Sequence, residues 1–117
     1  MRNNLGITQI HIESAIELQS AFGNSSKENV ASQLTSDERN KIINALHNSK
    51  TILIIFDEIS DDNGDNIRGS VFDFPSNDNA SGYHCIQGNI YNESTGDFTS
   101  IGILLHDDYP DEIYMLY

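Results

Sequence analysis

The residues after position 50 form short apolar segments separated by clusters of turn-forming residues. Residues 52–59 are apolar on both faces, which is typical of a strand covered on both sides. Four later segments also have strand patterns: 67–74, 83–91, 98–106 and 112–117. Because short polar turns join consecutive segments, the pattern predicts a five-stranded antiparallel meander.

The first of these turns has the sequence DDNGDN at residues 61–66. Its Asn63-Gly64 pair is the strongest short signal for a hairpin turn. A calcium-binding EF-hand loop would need an acidic first residue, glycine at the sixth position and glutamate at the twelfth. With Gly64 as the sixth residue, Ile59 takes the first position and Ser70 the twelfth. A hairpin therefore explains these residues better than a calcium site.

The first 50 residues carry helical signals instead. Four apolar residues lie near one helical face at the required spacing: Ile12, Ala15, Ile16 and Phe22. Residues 9–12 also alternate like a strand, so the start of that helix stays open. Two capping boxes follow, SSKE at residues 25–28 and TSDE at residues 35–38, and each predicts a helix N-terminus.

The expected fold is α+β, with two or three N-terminal helices packed on one face of the five-stranded antiparallel meander. Its helical part is residues 1–50 and its sheet is residues 51–117. A chain of 117 residues normally forms one hydrophobic core. We therefore expect a single domain over residues 1–117.

The charge is unevenly distributed between the two halves. The chain has 18 acidic and 6 basic residues, a net charge of −12. The net charge of residues 1–50 is zero, whereas residues 51–117 hold thirteen acids and a single base, Arg68. Nucleic acids and anionic membranes are disfavoured as ligands, because both are bound through lysine and arginine. A carboxylate-rich sheet instead attracts a basic protein.

The meander would gather its acids at the two ends of the sheet, with tyrosines on the polar face between them. Tyrosine supplies rigid contact area and carboxylates steer a basic partner, so together they make a usable recognition surface. The predicted partner-binding residues are Asp61, Asp62, Asp65, Tyr91, Asp107 and Asp108. They belong to two acidic ends, of which only one is expected to dock.

Catalytic motifs are missing from the sequence. Adjacent strand residues point to opposite faces, so His84 and Cys85 should not form a nucleophile and base pair. His106 before Asp107 is not a specific signal, and no phosphate-binding glycine loop or metal-binding helix motif occurs. We expect no enzyme activity, cofactor or metal. Without a signal-like segment or an apolar run near 20 residues, the protein is expected to be cytoplasmic.

The size, the acidity and the helices-before-sheet layout resemble bacterial toxin-immunity proteins, such as those of contact-dependent growth inhibition and of nuclease colicins. The resemblance implies a protein that neutralises a cognate toxin, in the first place a nuclease, by binding it one to one. It implies a cationic toxin surface and no chemistry of the protein's own. Two alternatives remain: a nucleic-acid mimic that inhibits a DNA-binding protein, and a small α+β enzyme.

Overall fold

The computed structural model describes residues 7–48, 51–64, 66–67, 70–75, 82–92, 95–106 and 108–117. Within these ranges the chain forms ten strands, one α-helix and one 3-10 turn. In chain order they are β1 (Ile7–Ile12), β2 (Ile16–Glu17), β3 (Lys27–Asn29), the 3-10 turn (Ala31–Gln33), α1 (Ser36–Asn48), β4 (Thr51–Phe56), β5 (Ile59–Ser60), β6 (Asn66–Ile67), β7 (Ser70–Pro75), β8 (Tyr83–Asn92), β9 (Asp97–His106) and β10 (Tyr109–Leu116).

The predicted fold class is wrong. The described chain is mainly β with one α-helix, and its N-terminal part forms strands where two further helices were expected. The strands form three hydrogen-bonded groups with the orders β1-β4-β7, β2-β5-β6 and β3-β10-β9-β8, and β7 lies beside β8. The antiparallel pairing is therefore only part of the strand arrangement, because β1, β2 and β3 each form the edge of one of the three groups.

The first two N-terminal strands, β1 and β2, pair in a direction that a meander does not allow, whereas β3 pairs antiparallel with β10. β1 pairs in parallel with β4, and β2 pairs in parallel with β5. Parallel neighbours need a long crossover connection, usually a helix. α1, which lies between β1 and β4 in the chain and contacts β1, supplies that crossover.

The first predicted helix is instead a bent strand. Buried and exposed residues alternate along it, and the helical spacing of its apolar residues does not match their burial. Ile10 and Ile12 are buried and His11 between them is exposed, as in a strand with one covered face. The chain bends after Ile12 and pairs again where the Ile16 N–H donates to the Glu58 carbonyl at 3.0 Å. Ala15, which helical spacing placed on the apolar face, is exposed. Pairing with a distant strand has overridden a weak local preference.

The two capping boxes have different outcomes. At residues 25–28 the prediction is wrong: Ser25 has a φ of +55°, unlike an N-cap, and Glu28 lies in β3. At residues 35–38 the prediction is confirmed, since the Glu38 N–H donates to Thr35 Oγ1 at 3.1 Å and the Thr35 N–H donates to Glu38 Oε1 at 2.9 Å. α1 begins at Ser36, directly after this box.

The later strands follow their predicted alternation. His84, Ile86 and Ile90 point into the core, and so do Ile101, Ile103 and Leu105 of β9. α1 and the segment around the 3-10 turn add further core residues: Val30, Ala31, Leu34, Ile42 and Ala45. The opposite side of β8 and β9 faces solvent. In the described part of the chain, no helix has the length and apolar character needed to cross a membrane.

Candidate functional site

The solvent-facing side of the β3-β10-β9-β8 sheet, which we call the outer face, carries the surface features that best indicate binding. Its centre is made of cross-strand pairs between β8 and β9, fixed by the antiparallel register: Tyr83 with His106, Cys85 with Leu104, Gln87 with Gly102, Asn89 with Ser100, and Tyr91 with Phe98. β10 and β3 extend it through Tyr114 and Leu116, which are opposite Asn29 and Lys27.

Exposed aromatic rings are concentrated on this face. Four large hydrophobic side chains are exposed in the described part of the chain: Tyr83 (47%), Tyr91 (39%), Phe98 (73%) and Tyr109 (53%). All four lie on the outer face, because the first three belong to the cross-strand pairs above and Tyr109 contacts His106. Single exposed apolar residues are ordinary, but a group on one surface marks an interaction site.

The rings form two groups at opposite ends of β8. Near its start, the ring centroids of Tyr83 and His106 are 4.4 Å apart, and those of His106 and Tyr109 are 5.0 Å apart. Near its end, the centroids of Tyr91 and Phe98 are 5.2 Å apart. Tyr83 and Tyr91 are separated by roughly 26 Å along the strand, at about 3.3 Å per residue. The outer face therefore offers two aromatic contact areas with a polar surface between them.

A shallow groove of about 740 Å³ occupies that middle region. Uncharged polar side chains, Ser26, Gln87, Asn89 and Ser100, line it together with Lys27. Gly102 lies in its floor, where a Cβ atom would be 3.5 Å from the Ile86 carbonyl oxygen and 3.6 Å from Leu116 Cδ1. These are ordinary contact distances. The glycine therefore leaves the groove open without being required by the fold.

Carboxylates surround the aromatic group at the β9–β10 end. Asp108, Asp111 and Glu112 are exposed there, and Glu112 lines a second cavity of about 410 Å³ with Tyr83, His106 and Tyr109. The Tyr114 hydroxyl donates to Glu112 Oε1 at 2.9 Å, and this hydrogen bond raises the pKa of Tyr114. The Asp108 N–H donates to His106 Nδ1 at 3.0 Å, which orients the imidazole between the two tyrosines.

The predicted site residues do not all reach the outer face. Tyr91 lies on it, Asp108 is exposed at its β9–β10 end, and Asp62 is exposed in the β5–β6 turn. Asp65 and Asp107 lie outside the described residues. The partner-binding roles of these residues stay predictions.

Asp61 is placed inside the fold. Its side chain is 9% exposed, and its carboxylate accepts hydrogen bonds from the N–H groups of Phe22 at 2.9 Å and Asn63 at 3.0 Å. The Gly64 N–H donates to the Asp61 carbonyl at 3.0 Å, and Gly64 has a φ of +79°, which favours glycine. The carboxylate therefore holds the predicted hairpin turn against the segment that contains Phe22.

Another acid, Glu38, is also engaged by backbone groups. It is 7% exposed and accepts hydrogen bonds from the N–H groups of Glu13, Ser14 and Thr35 and from the Ser14 hydroxyl. Burial raises the pKa of Glu38, but these hydrogen bonds outweigh it, so the net pKa lies below the usual 4.5. The acids available to a partner are therefore fewer than the composition suggests.

One ionisable pair lies away from the outer face. His11 is in β1 and Asp57 directly follows β4; His11 Nε2 and Asp57 Oδ1 are 2.5 Å apart, and the side chains are 53% and 49% exposed. The hydrogen bond to Asp57 raises the pKa of His11. Within the described ranges, no three His, Cys, Asp or Glu side chains are grouped so that they could hold a metal ion.

Sequence reasoning missed part of the outer face. Phe98 is the first residue of the predicted strand 98–106 and Tyr91 the last of the predicted strand 83–91, so a tight hairpin register would have paired them, as the structure does. Lys27 was assigned to a helix, and no local signal placed it beside β10. Comparison with protein-family models, curated proteins and solved structures found no match to this chain.

Proposed function

We propose that this protein is an inhibitor that binds a cationic protein one to one through its outer face. The partner we propose is a cognate bacterial toxin, in the first place a nuclease, to which this chain is the immunity protein. The observation that carries the proposal is the grouping of four exposed aromatic side chains on a single face of a strongly acidic protein.

The aromatic groups supply the short-range part of the binding free energy. Tyrosine is enriched among the residues that dominate interfaces, since its ring buries a large area at little entropic cost. Completing the burial of a half-exposed ring contributes roughly 1 to 1.5 kcal/mol, about half of the value for a fully buried aromatic side chain. Phe98, exposed to 73%, has the most area left to bury.

The acids supply the long-range part. A nuclease must present lysine, arginine and histidine to phosphate, so an inhibitor with a net charge of −12 is attracted to the same groups. Such steering raises association rates by roughly 10- to 1,000-fold at low ionic strength. Asp108, Asp111 and Glu112 lie beside Tyr109, so one docking event engages rings and carboxylates together.

Calorimetry with the purified toxin domain encoded beside the gene tests the proposal. We expect one-to-one binding that weakens as salt is raised. Phe98→Ala and Tyr91→Ala should each weaken it by roughly tenfold or more, the loss expected at a central interface residue. Asp37→Ala is the matched control, because this exposed acid lies on α1 and not on the outer face.

The same complex separates two modes of inhibition. Duplex DNA competes with the inhibitor if the outer face covers the phosphate-binding residues of the toxin, and it does not compete if the inhibitor binds beside them. Absence of binding to the encoded toxin domain would contradict the proposal, and so would unchanged affinity in both aromatic variants.

A further inference from the structure

Lys27 is an exposed positive charge on the outer face, in the edge strand β3. It lies in β3 opposite Leu116, and it lines both the 740 Å³ groove and the 410 Å³ cavity. Its ammonium nitrogen is 4.5 Å from the centroid of the Tyr114 ring, within the range of a cation–π contact. The ring therefore holds the ammonium group at the boundary between the two concave regions.

Lys27 differs from the other described basic residues in how its charge is used. The Arg39 guanidinium donates to the Ala31 and Leu34 carbonyls at 2.8 and 2.9 Å, and Lys41 Nζ is 3.2 Å from Asp37 Oδ2. Over the described ranges, no carboxylate lies within ion-pair distance of the Lys27 ammonium. Glu112 lines the 410 Å³ cavity together with Lys27 without forming an ion pair with it, so the ammonium group stays exposed at the candidate interface.

We propose that Lys27 is a carboxylate-binding subsite of the outer face, so that the partner presents an aspartate or glutamate within its otherwise basic surface. This inference rests on the proposed function. A uniformly basic partner would bring like charge against the ammonium group, which is unfavourable at a desolvated contact. A carboxylate opposite Lys27 removes that cost and fixes the register of docking.

The groove around Lys27 is suited to such a group. The Ser26 hydroxyl is a donor next to Lys27 in the chain, whereas the Ser100 hydroxyl already donates to Asn89 Oδ1 at 3.3 Å, and Gln87 is on β8, three strands from β3. A carboxylate has two oxygens that accept several hydrogen bonds, so one that contacts the ammonium group can also accept from the Ser26 hydroxyl. A backbone carbonyl could accept a hydrogen bond from Lys27 but would leave its charge uncompensated.

The sign of one mutational effect tests the subsite. Titrations of the encoded toxin domain with Lys27→Gln and Lys41→Gln compare the same loss of one positive charge at two places. If long-range attraction acts alone, both variants should bind a basic partner as tightly as the wild type does, or slightly more tightly. The subsite predicts that Lys27→Gln weakens binding by roughly 30-fold or more, as when one member of a buried charge pair is removed. Lys27→Arg should retain most of the affinity.

Unfolding midpoints of the three variants should match that of the wild type, which separates binding from folding. Equal or tighter binding by Lys27→Gln, with the wild type bound, overturns the subsite and leaves the proposed function standing. Absence of wild-type binding overturns both.

Discussion

Replacing Glu38 by alanine should destabilise the protein more than any other exchange of a single acid in α1. Glu38 Oε2 accepts from the N–H groups of Glu13 at 2.9 Å and Ser14 at 3.2 Å. Glu38 Oε1 accepts from the Ser14 hydroxyl at 2.6 Å and from the Thr35 N–H at 2.9 Å. One carboxylate thus caps α1 and holds the bend between β1 and β2.

The magnitude follows from these four hydrogen bonds. Each contributes about 1 kcal/mol net, so Glu38→Ala should lower the free energy of unfolding by about 4 kcal/mol. Glu38→Gln keeps one acceptor oxygen and should lose about half as much. Domains of this size are stable by roughly 5–15 kcal/mol, so the alanine variant approaches the limit of folding and the glutamine variant keeps the test interpretable.

The effect also has a defined pH dependence. Burial acts to raise the pKa of Glu38, but the hydrogen bonds from Ser14, Thr35 and Glu13 leave it below its usual 4.5. A lowered native pKa means that the stabilisation is complete above the unfolded-state pKa and is lost as pH falls through the native one. The difference between wild type and Glu38→Gln should therefore be full at neutral pH and shrink below about pH 4.5.

Urea unfolding followed by circular dichroism at neutral pH measures these differences. Asp37→Ala is the control, because Asp37 is the preceding residue, is 78% exposed and makes one exposed ion pair with Lys41 at 3.2 Å. That change should cost less than about 1 kcal/mol. A loss below 1 kcal/mol for Glu38→Ala, equal to that of the control, would refute the structural role of this carboxylate.

Three further predictions concern other parts of the fold. Asp61→Ala should cost about 2 kcal/mol in urea unfolding, because it leaves the N–H groups of Phe22 and Asn63 without their acceptor; an unchanged midpoint would contradict this. Asp57→Asn should lower the raised pKa of His11 towards 6.5, because it removes the carboxylate partner that raises it; identical NMR titrations of variant and wild type would contradict this. The wild-type pair stabilises the fold below pH 6.5, and this stabilisation is lost as pH rises through the native pKa of His11. Gly102→Ala should change the unfolding free energy by less than about 1 kcal/mol, because the added Cβ has ordinary contacts, and a larger loss would show that the groove floor is closely packed.

The parts of the fold that were predicted correctly depend on local patterns. Strands at residues 83–91 and 98–106 were expected, and β8 and β9 extend these ranges by one residue each. Their alternation was also predicted correctly, because the two faces of a strand differ in solvent exposure along the chain itself. The helix start at residues 35–38 depends on side chains three residues apart and is equally local.

The N-terminal half was predicted wrongly because distant residues determine its structure. Glu28 looked like the last member of a capping box, yet its carboxylate accepts from the Gln19 N–H at 2.8 Å and from the Tyr117 hydroxyl at 2.9 Å. β1 is a strand because β4, about 40 residues later, pairs with it. Interactions between residues this far apart in the chain cannot be predicted from the pattern of a short sequence segment.

The candidate site divides in the same way. The alternation of β8 was enough to place Tyr91 on a solvent-facing surface, and Asp108, expected at an acidic end of the sheet, is exposed between β9 and β10. Composition could not tell exposed acids from acids used inside the fold, so Asp61 was selected although backbone groups surround its carboxylate. The position of Lys27 on the outer face depended on β3 pairing with β10.

By itself the sequence determined the strong acidity, the strands of the second half with their inner and outer sides, and one capped helix. These properties follow from composition and from residues within a few positions of each other. The tertiary structure decided that β1 and β2 pair in parallel with later strands, that Glu38 and Asp61 serve the fold, and that four aromatic side chains share one face with Lys27. Each of these depends on contacts between distant segments, and for the aromatic side chains and Lys27 the strand register sets which side chains become neighbours.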